Sequence, residues 1–169
     1  MSDPSGDGPI HRYRVVPAAY VLLLREEADG SDSALLQLRT GTGFMDGHWA
    51  CGAAGHVEAG ESVLAAAVRE AAEELGVEVD TAGLLPLTVM HRTQGTGLAI
   101  DERVDVFFSC RRWRGDPRLQ EDKAADLRWV RLDALDSLAE PVVPHERQVL
   151  DGLAAGTLAP VTAFGFAQH

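Results

Sequence analysis

Between Gly55 and Val77 the chain reads GHVEAGESVLAAAVREAAEELGV, and this stretch limits the possible folds more than any other. Its second half, Ser62 to Leu75, has the spacing of an amphipathic helix. Leu64, Val68, Ala71, Ala72 and Leu75 recur at i, i+4, i+7, i+8 and i+11. Strong helix formers fill most positions between them, and Gly76 stands where a helix commonly stops. Glu73 and Glu74 lie three and four residues beyond Glu70, so the three carboxylates leave one side of the helix with Cβ atoms about 5–6 Å apart.

Like charges held that close repel unless something positive sits among them. Carboxylate oxygens are hard ligands, and Mg²⁺ takes one or two of them while keeping other positions for water and phosphate. Arg69, beside the cluster, offers a fixed fork of donors that can orient a carboxylate. An acidic run by itself describes a solvated helix face. The spacing of the whole stretch says more: Gly55, five residues, Glu61, seven residues, Arg69-Glu70, then Glu73-Glu74 and Gly76-Val77. Those offsets match the Nudix box, with Ala71 where the pattern usually has a larger aliphatic residue. The chain therefore resembles a Nudix hydrolase.

The resemblance implies an α/β fold of the α+β type, a Nudix-like α/β/α sandwich with a mixed β-sheet. It implies Mg²⁺, or Mn²⁺ in its place, and hydrolysis of a diphosphate linkage in a nucleoside diphosphate derivative or nucleoside triphosphate. Metal ligation falls to Glu74, Glu70 and Glu73, with the carbonyl of Gly55 completing a shell and Glu61 acting through a bound water. The base that takes the proton of the attacking water is Glu73, inside the box, or Glu121, in the loop before a late strand. Two other readings stay open: an isomerase of isopentenyl diphosphate on the same fold, and a non-catalytic nucleotide-binding Nudix module.

At 169 residues the chain suits one well-buried domain. The expected division is a flexible tail at 1–12, the domain at 13–156 and a C-terminal tail at 157–169 that packs or contacts a second copy. A formal net charge of −11 argues against a nucleic-acid polymer or an anionic membrane as partner. It also means that a phosphorylated substrate needs local cations. The partner expected is a small-molecule nucleotide, and the chain a monomer or homodimer. Two cysteines, Cys51 and Cys110, do not make a disulfide scaffold. The opening MSDPSGDGPIHR lacks the apolar core of a signal peptide, and the apolar run Val15 to Leu24 is too short to span a bilayer. A cytoplasmic location is expected.

Arg14 to Arg25 reads as a central strand buried on both faces. Ala34 to Arg39 reads as its hairpin partner, and 40–54 as a glycine-bearing loop leading into the box. In that loop Cys51-Gly52-Ala53-Ala54 stands where many Nudix proteins have a Leu-Pro-Gly-Gly type sequence, which leaves the substrate class open. Further strands are expected at 83–92, 103–113 and 127–132, and a helix over 145–155 with Val149, Leu150, Leu153 and Ala154 inward. Strands, box helix, strands and a final helix do not alternate as βαβ units, which speaks against a doubly wound parallel sheet. Arg39, Trp49 and Arg92 are the candidate substrate contacts, and Arg69 joins Glu73 and Glu121 as a candidate catalytic residue. Lys123 and His56 are weaker candidates beside them. Trp113, Trp129, Phe107 and Phe108 are expected in the core.

Overall fold

Val16–Glu26 forms β1, the strand that the rest of the sheet is laid against. Residues 18–24 of β1 are all buried, as the unbroken apolar run predicts. Alternate side chains go to opposite faces: Ala18, Tyr20, Leu22 and Leu24 join one apolar cluster, and Ala19, Val21 and Leu23 the other. The computed structural model describes residues 13–167; the expected tail at 1–12 lies outside the described residues.

Along one side β1 pairs in parallel with β6 (Arg103–Cys110) from Val16 to Leu23. Its other side is divided between two partners. The end at Leu24–Glu26 pairs with β2 (Asp32–Arg39), and Ala18–Val21 pairs with β4 (Ala53–His56), both antiparallel. Beyond the hairpin β2 takes β3 (Trp49–Cys51) and β7 (Ala124–Arg131) as antiparallel neighbours. The sheet therefore forks between β1 and β2. On the far side β5 (Leu85–Arg92) pairs antiparallel with β6, and β8 (Val161–Phe164) closes that edge parallel to β5. The sheet is mixed, as expected for an α/β/α sandwich.

The two helices cover opposite faces. α1 (Val63–Leu75) packs through Ala66, Ala67, Ala71 and Leu75 on the face that carries Val21, Leu23 and Phe108. α2 (Pro144–Ala155) packs through Val149 and Leu150 on the face that carries Tyr20, Leu22 and Phe107. Ser62 caps α1, its Oγ accepting from the N–H of Ala65 at 3.1 Å, and Gly76 ends it in the left-handed region at φ 67°. Small alanines let α1 lie close to the sheet, while Leu75 and Val77 supply larger apolar surface, each worth about 1.5–3 kcal/mol when fully buried.

Several elements differ from the sequence expectation. The buried stripe of α1 is turned away from the predicted one: Leu64 is 40% exposed and Ala72 is exposed, whereas Glu70 is buried. The apolar count misplaced the stripe because Glu70 belongs to the inward face. The expected loop at 40–54 contains β3 and the first half of β4, divided at Gly52. The tail at 157–169 contributes β8 over Val161–Phe164, and its last two residues lie outside the described region. β7 starts at Ala124 rather than Leu127. No helix among the described residues is long and apolar enough to cross a membrane.

Candidate active site

The box is folded around Gly55 on β4. A Cβ placed on Gly55 would lie 2.0 Å from Oε1 of Glu70, so only glycine lets that carboxylate rest against the strand. One residue earlier, the N–H of Ala54 donates to Oε2 of Glu74 at 3.0 Å, and Nε2 of Gln37 donates to the same oxygen at 3.3 Å. Adjacent residues of β4 thus receive two carboxylates from successive turns of α1. Burial pushes the Glu74 carboxyl up to about 7, against the Ala54 hydrogen bond and with the Glu70 charge. Burial raises Glu70 as well, against its pairing with Arg69.

Arg69 organises the remaining acids. Its Nε and Nη2 donate to the two oxygens of Glu61 at 2.8 and 3.0 Å, a bidentate pair. Nη1 donates to Glu70 at 2.6 Å and to Glu73 at 3.0 Å, and Nη2 also reaches the carbonyl of His56 at 3.1 Å. Hydrogen bonding from Arg69 holds Glu61 below the usual carboxylate range, and Glu61 in turn raises Arg69. The glutamates therefore relieve their mutual repulsion on donors of the protein. As arranged, no three His, Cys, Asp or Glu side chains among the described residues converge on one metal position.

Glu70, Glu73 and Glu74 border a cavity of about 400 Å³ at the fork of the sheet, while Arg69 and Glu61 stand behind them. Gly55, Glu70, Glu73, Glu74, Glu121, Arg39 and Arg92, all singled out in the sequence, line it. Glu121 is brought there because the chain before it docks on the end of α1: the N–H of Arg118 donates to Leu75 and that of Gln120 to Glu74. Glu121 is exposed and pairs with Lys123 at 2.6 Å. Arg39 holds the 40–48 loop, its Nε donating to the Phe44 carbonyl at 2.9 Å and its Nη2 to Thr42 Oγ1 at 3.0 Å.

Arg92 is 2% exposed at the cavity floor, and its Nε donates to Asp105. Asp105 is fully buried, and its Oδ1 is the one buried side-chain polar atom among the described residues without a hydrogen-bond partner. Trp49 is not brought to the cavity. It is fully buried on β3, its Nε1 donates to Glu140 at 3.0 Å, and the Arg128 guanidinium lies 4.8 Å from its ring centre. The exposed Arg128 covers the ring, and Trp49 is not among the residues lining the cavity. Phe107 and Phe108 are buried, and the partly buried Trp113 and Trp129 stack on each other at 5.9 Å.

Other cavity residues escaped the sequence reading. Phe44 lines the cavity from the glycine-bearing loop, where no periodicity marks it. Glu146 and Cys51 form part of the floor, with Glu146 Oε2 accepting from the Cys51 N–H at 2.5 Å. Burial raises both the Glu146 carboxyl and the Cys51 thiol. Beside them His145 Nε2 and the Tyr20 hydroxyl share a hydrogen bond of 3.3 Å, and burial lowers the His145 pKa to about 3. A signal for this pair existed: His145 and Glu146 precede Val149 and Leu150 by four residues, which places them on the inward face of α2.

Residues 14–153 match the NUDIX domain family. The chain belongs to the Nudix family. Membership supports, in general terms, a pyrophosphohydrolase of nucleotide derivatives. No curated protein matches the chain. Among solved structures, the Nudix fold recurs in a MutT NUDIX hydrolase from Burkholderia pseudomallei, at 24% identity and a TM-score of 0.69 over 82% of this chain and 97% of that one. The NUDIX domain of Shewanella oneidensis NrtR, solved with ADP ribose, matches at 18% identity and a TM-score of 0.66, covering 88% of this chain and 92% of that one. A Nudix hydrolase from M. smegmatis, RenU, matches at 24% identity and a TM-score of 0.60, covering 83% and 84%. At these identities the likeness is one of fold.

Proposed function

We propose that this Nudix chain hydrolyses a diphosphate linkage in a nucleoside diphosphate derivative or nucleoside triphosphate, with Mg²⁺ bound at the box. The observation that carries the reading is the seating of Glu70 and Glu74 against adjacent residues of β4, at a place that only glycine leaves open. Their oxygens, with the Gly55 carbonyl and Glu73, are a hard donor set of the kind that holds Mg²⁺ or Mn²⁺. The ion, when bound, supplies charge neutralisation at phosphoryl oxygens and lowers the pKa of a bound water.

The chain's own part is positional. Arg69 fixes Glu61 and Glu70 by a fork of hydrogen bonds. Glu73 and Glu121, exposed at the cavity edge, are the groups able to accept the proton of an attacking water. Arg39 faces the substrate across the cavity. Phe44, half-buried on the wall, offers a ring for a sugar or base to lie against. Trp49, enclosed by the core, does not line the cavity.

The test is a panel of nucleotide sugars, dinucleoside polyphosphates, ADP-ribose, NADH and ordinary or oxidised triphosphates in ¹⁸O-labelled water, with Mg²⁺ and with EDTA. ADP-ribose belongs in it because the NrtR domain was solved with that molecule. Turnover of a panel member with Mg²⁺ and none with EDTA is expected, and Glu74→Gln should lower kcat at least about 100-fold. A Glu74→Gln rate equal to wild type would place the chemistry elsewhere.

A further inference from the structure

The cations around the cavity differ in whether their charge is already compensated. Arg92 is taken up by Asp105 and Lys123 by Glu121. Elsewhere Arg111, Arg131 and Arg147 are likewise paired with aspartates. Among the described residues, Arg39 and Arg103 are the cavity arginines with no carboxylate oxygen within 4.0 Å. Arg39 spends two donors on its own loop. Arg103 stands apart because its position is fixed without using up its fork.

Arg103 opens β6, opposite Val16 of β1, and His56 closes β4, opposite Ala18 of β1. Nη1 of Arg103 donates to Nε2 of His56 at 2.7 Å, and its Nε reaches the Ile100 carbonyl at 3.3 Å. These two contacts steer the guanidinium and leave its Nη2 donors without a partner among the described residues. His56 follows Gly55 directly, and its carbonyl accepts from Arg69, so the fork sits against the second residue of the box. It lies on the other side of β1 from Arg39.

We propose that Arg103, held in place by His56, is an anion subsite that takes one phosphoryl group of the substrate through oxygens not shared with the box carboxylates. A diphosphate entering a cavity bordered by six glutamates, on a chain of net charge −11, meets repulsion that a placed guanidinium offsets. Arginine suits the task because its planar donors pair with two phosphate oxygens at once. The subsite accounts for a phosphate contact that Arg92, committed to Asp105, does not supply. His56 is a positioning residue in this arrangement. The assignment of the anion as a substrate phosphate rests on the hydrolase reading above; the anion site itself does not.

The test is calorimetric titration of inorganic pyrophosphate into the full chain in EDTA, where box metal plays no part. Wild type should bind, and Arg103→Ala should weaken binding about tenfold or more. Arg103→Lys should recover part of the loss. His56→Ala should weaken binding in the wild-type background and add nothing in the Arg103→Ala background, a coupling that a purely structural role would not give. With the substrate found in the panel, Arg103→Ala should raise KM about tenfold with kcat changed less than threefold. Absence of pyrophosphate binding by wild type, or equal binding by Arg103→Ala with the thermal midpoint unchanged, overturns the subsite. If no nucleotide is turned over and Arg103→Ala still loses pyrophosphate, the hydrolase reading falls and the subsite stands. If turnover is present and Arg103→Ala titrates like wild type, the subsite alone falls.

Discussion

Gly55 shows what one missing methyl group accomplishes. The Glu70 carboxylate fills the place where a Cβ would stand, so Gly55→Ala must push Glu70 off the strand or bend β4. Overpacking of this kind costs about 1–3 kcal/mol. Activity should fall at least about 100-fold, more than that stability loss accounts for, because the displaced group is a proposed ligand. Steady-state kinetics beside thermal unfolding would separate the two effects, and a variant that unfolds early yet keeps wild-type kcat would remove Glu70 from the chemistry. At this scale the sequence was informative where spacing alone defines a role. Gly55, Arg69, Glu70 and Glu74 were legible because the box fixes their offsets. Trp49 misled because a tryptophan in a glycine-bearing stretch looks like a ligand platform, whereas a short strand draws it into the core. Arg103 was passed over because it reads as the polar first residue of an alternating strand.

Among the elements, β1, α1 and α2 were readable for a common reason: each carries its own local signal, a continuous apolar run in β1 and a helical period in α1 and α2. β3, β4 and β8 are three or four residues long and exist through their pairing with distant strands, which no local pattern announces. The buried stripe of α1 was misplaced because Glu70 and Glu74 take inward positions against β4 where a hydrocarbon is expected. α2 makes the same exchange at its start, where His145 and Glu146 occupy inward positions. His145 gives this a measurable consequence. Its pKa is about 3 in the fold against 6.5 in the unfolded chain, so between those values the unfolded chain binds more protons. Its contribution to stability is complete above pH 6.5 and is lost as pH falls toward 3, at up to about 1.4 kcal/mol per pH unit. Urea midpoints at pH 7.5 and 4.5 should therefore drop further for wild type than for His145→Gln. The raised carboxyls of Asp105 and Glu146, 4.0 and 3.9 Å from His145 Nε2, are present in both proteins.

For the molecule as a whole, the fork of the sheet is what turns a list of motif residues into a cleft. β1 gives its end to β2 and its middle to β4, so β2, β3 and β7 swing away and leave space beside Tyr20 and Cys51. Sandwich architecture followed from the order of elements and from the family resemblance. The fork, and with it the floor of the cavity, depends on pairings between residues far apart in the chain and was out of reach of any local reading. Net charge was legible at once, but its distribution was not: among the described residues most arginines are bound to acids, and of those that are not, Arg39 and Arg103 line the cavity.

Arg69 carries one more implication. Because a guanidinium already sits between Glu61, Glu70 and Glu73, the crowded negative side of α1 is neutralised from within. Stripping divalent ions with EDTA should then shift the melting temperature by less than about 2 °C while turnover vanishes. A large drop in melting temperature would mean that the ion is a structural prop. With a resident counter-ion of its own, the acid-lined side of α1 is held together by the protein's own donors.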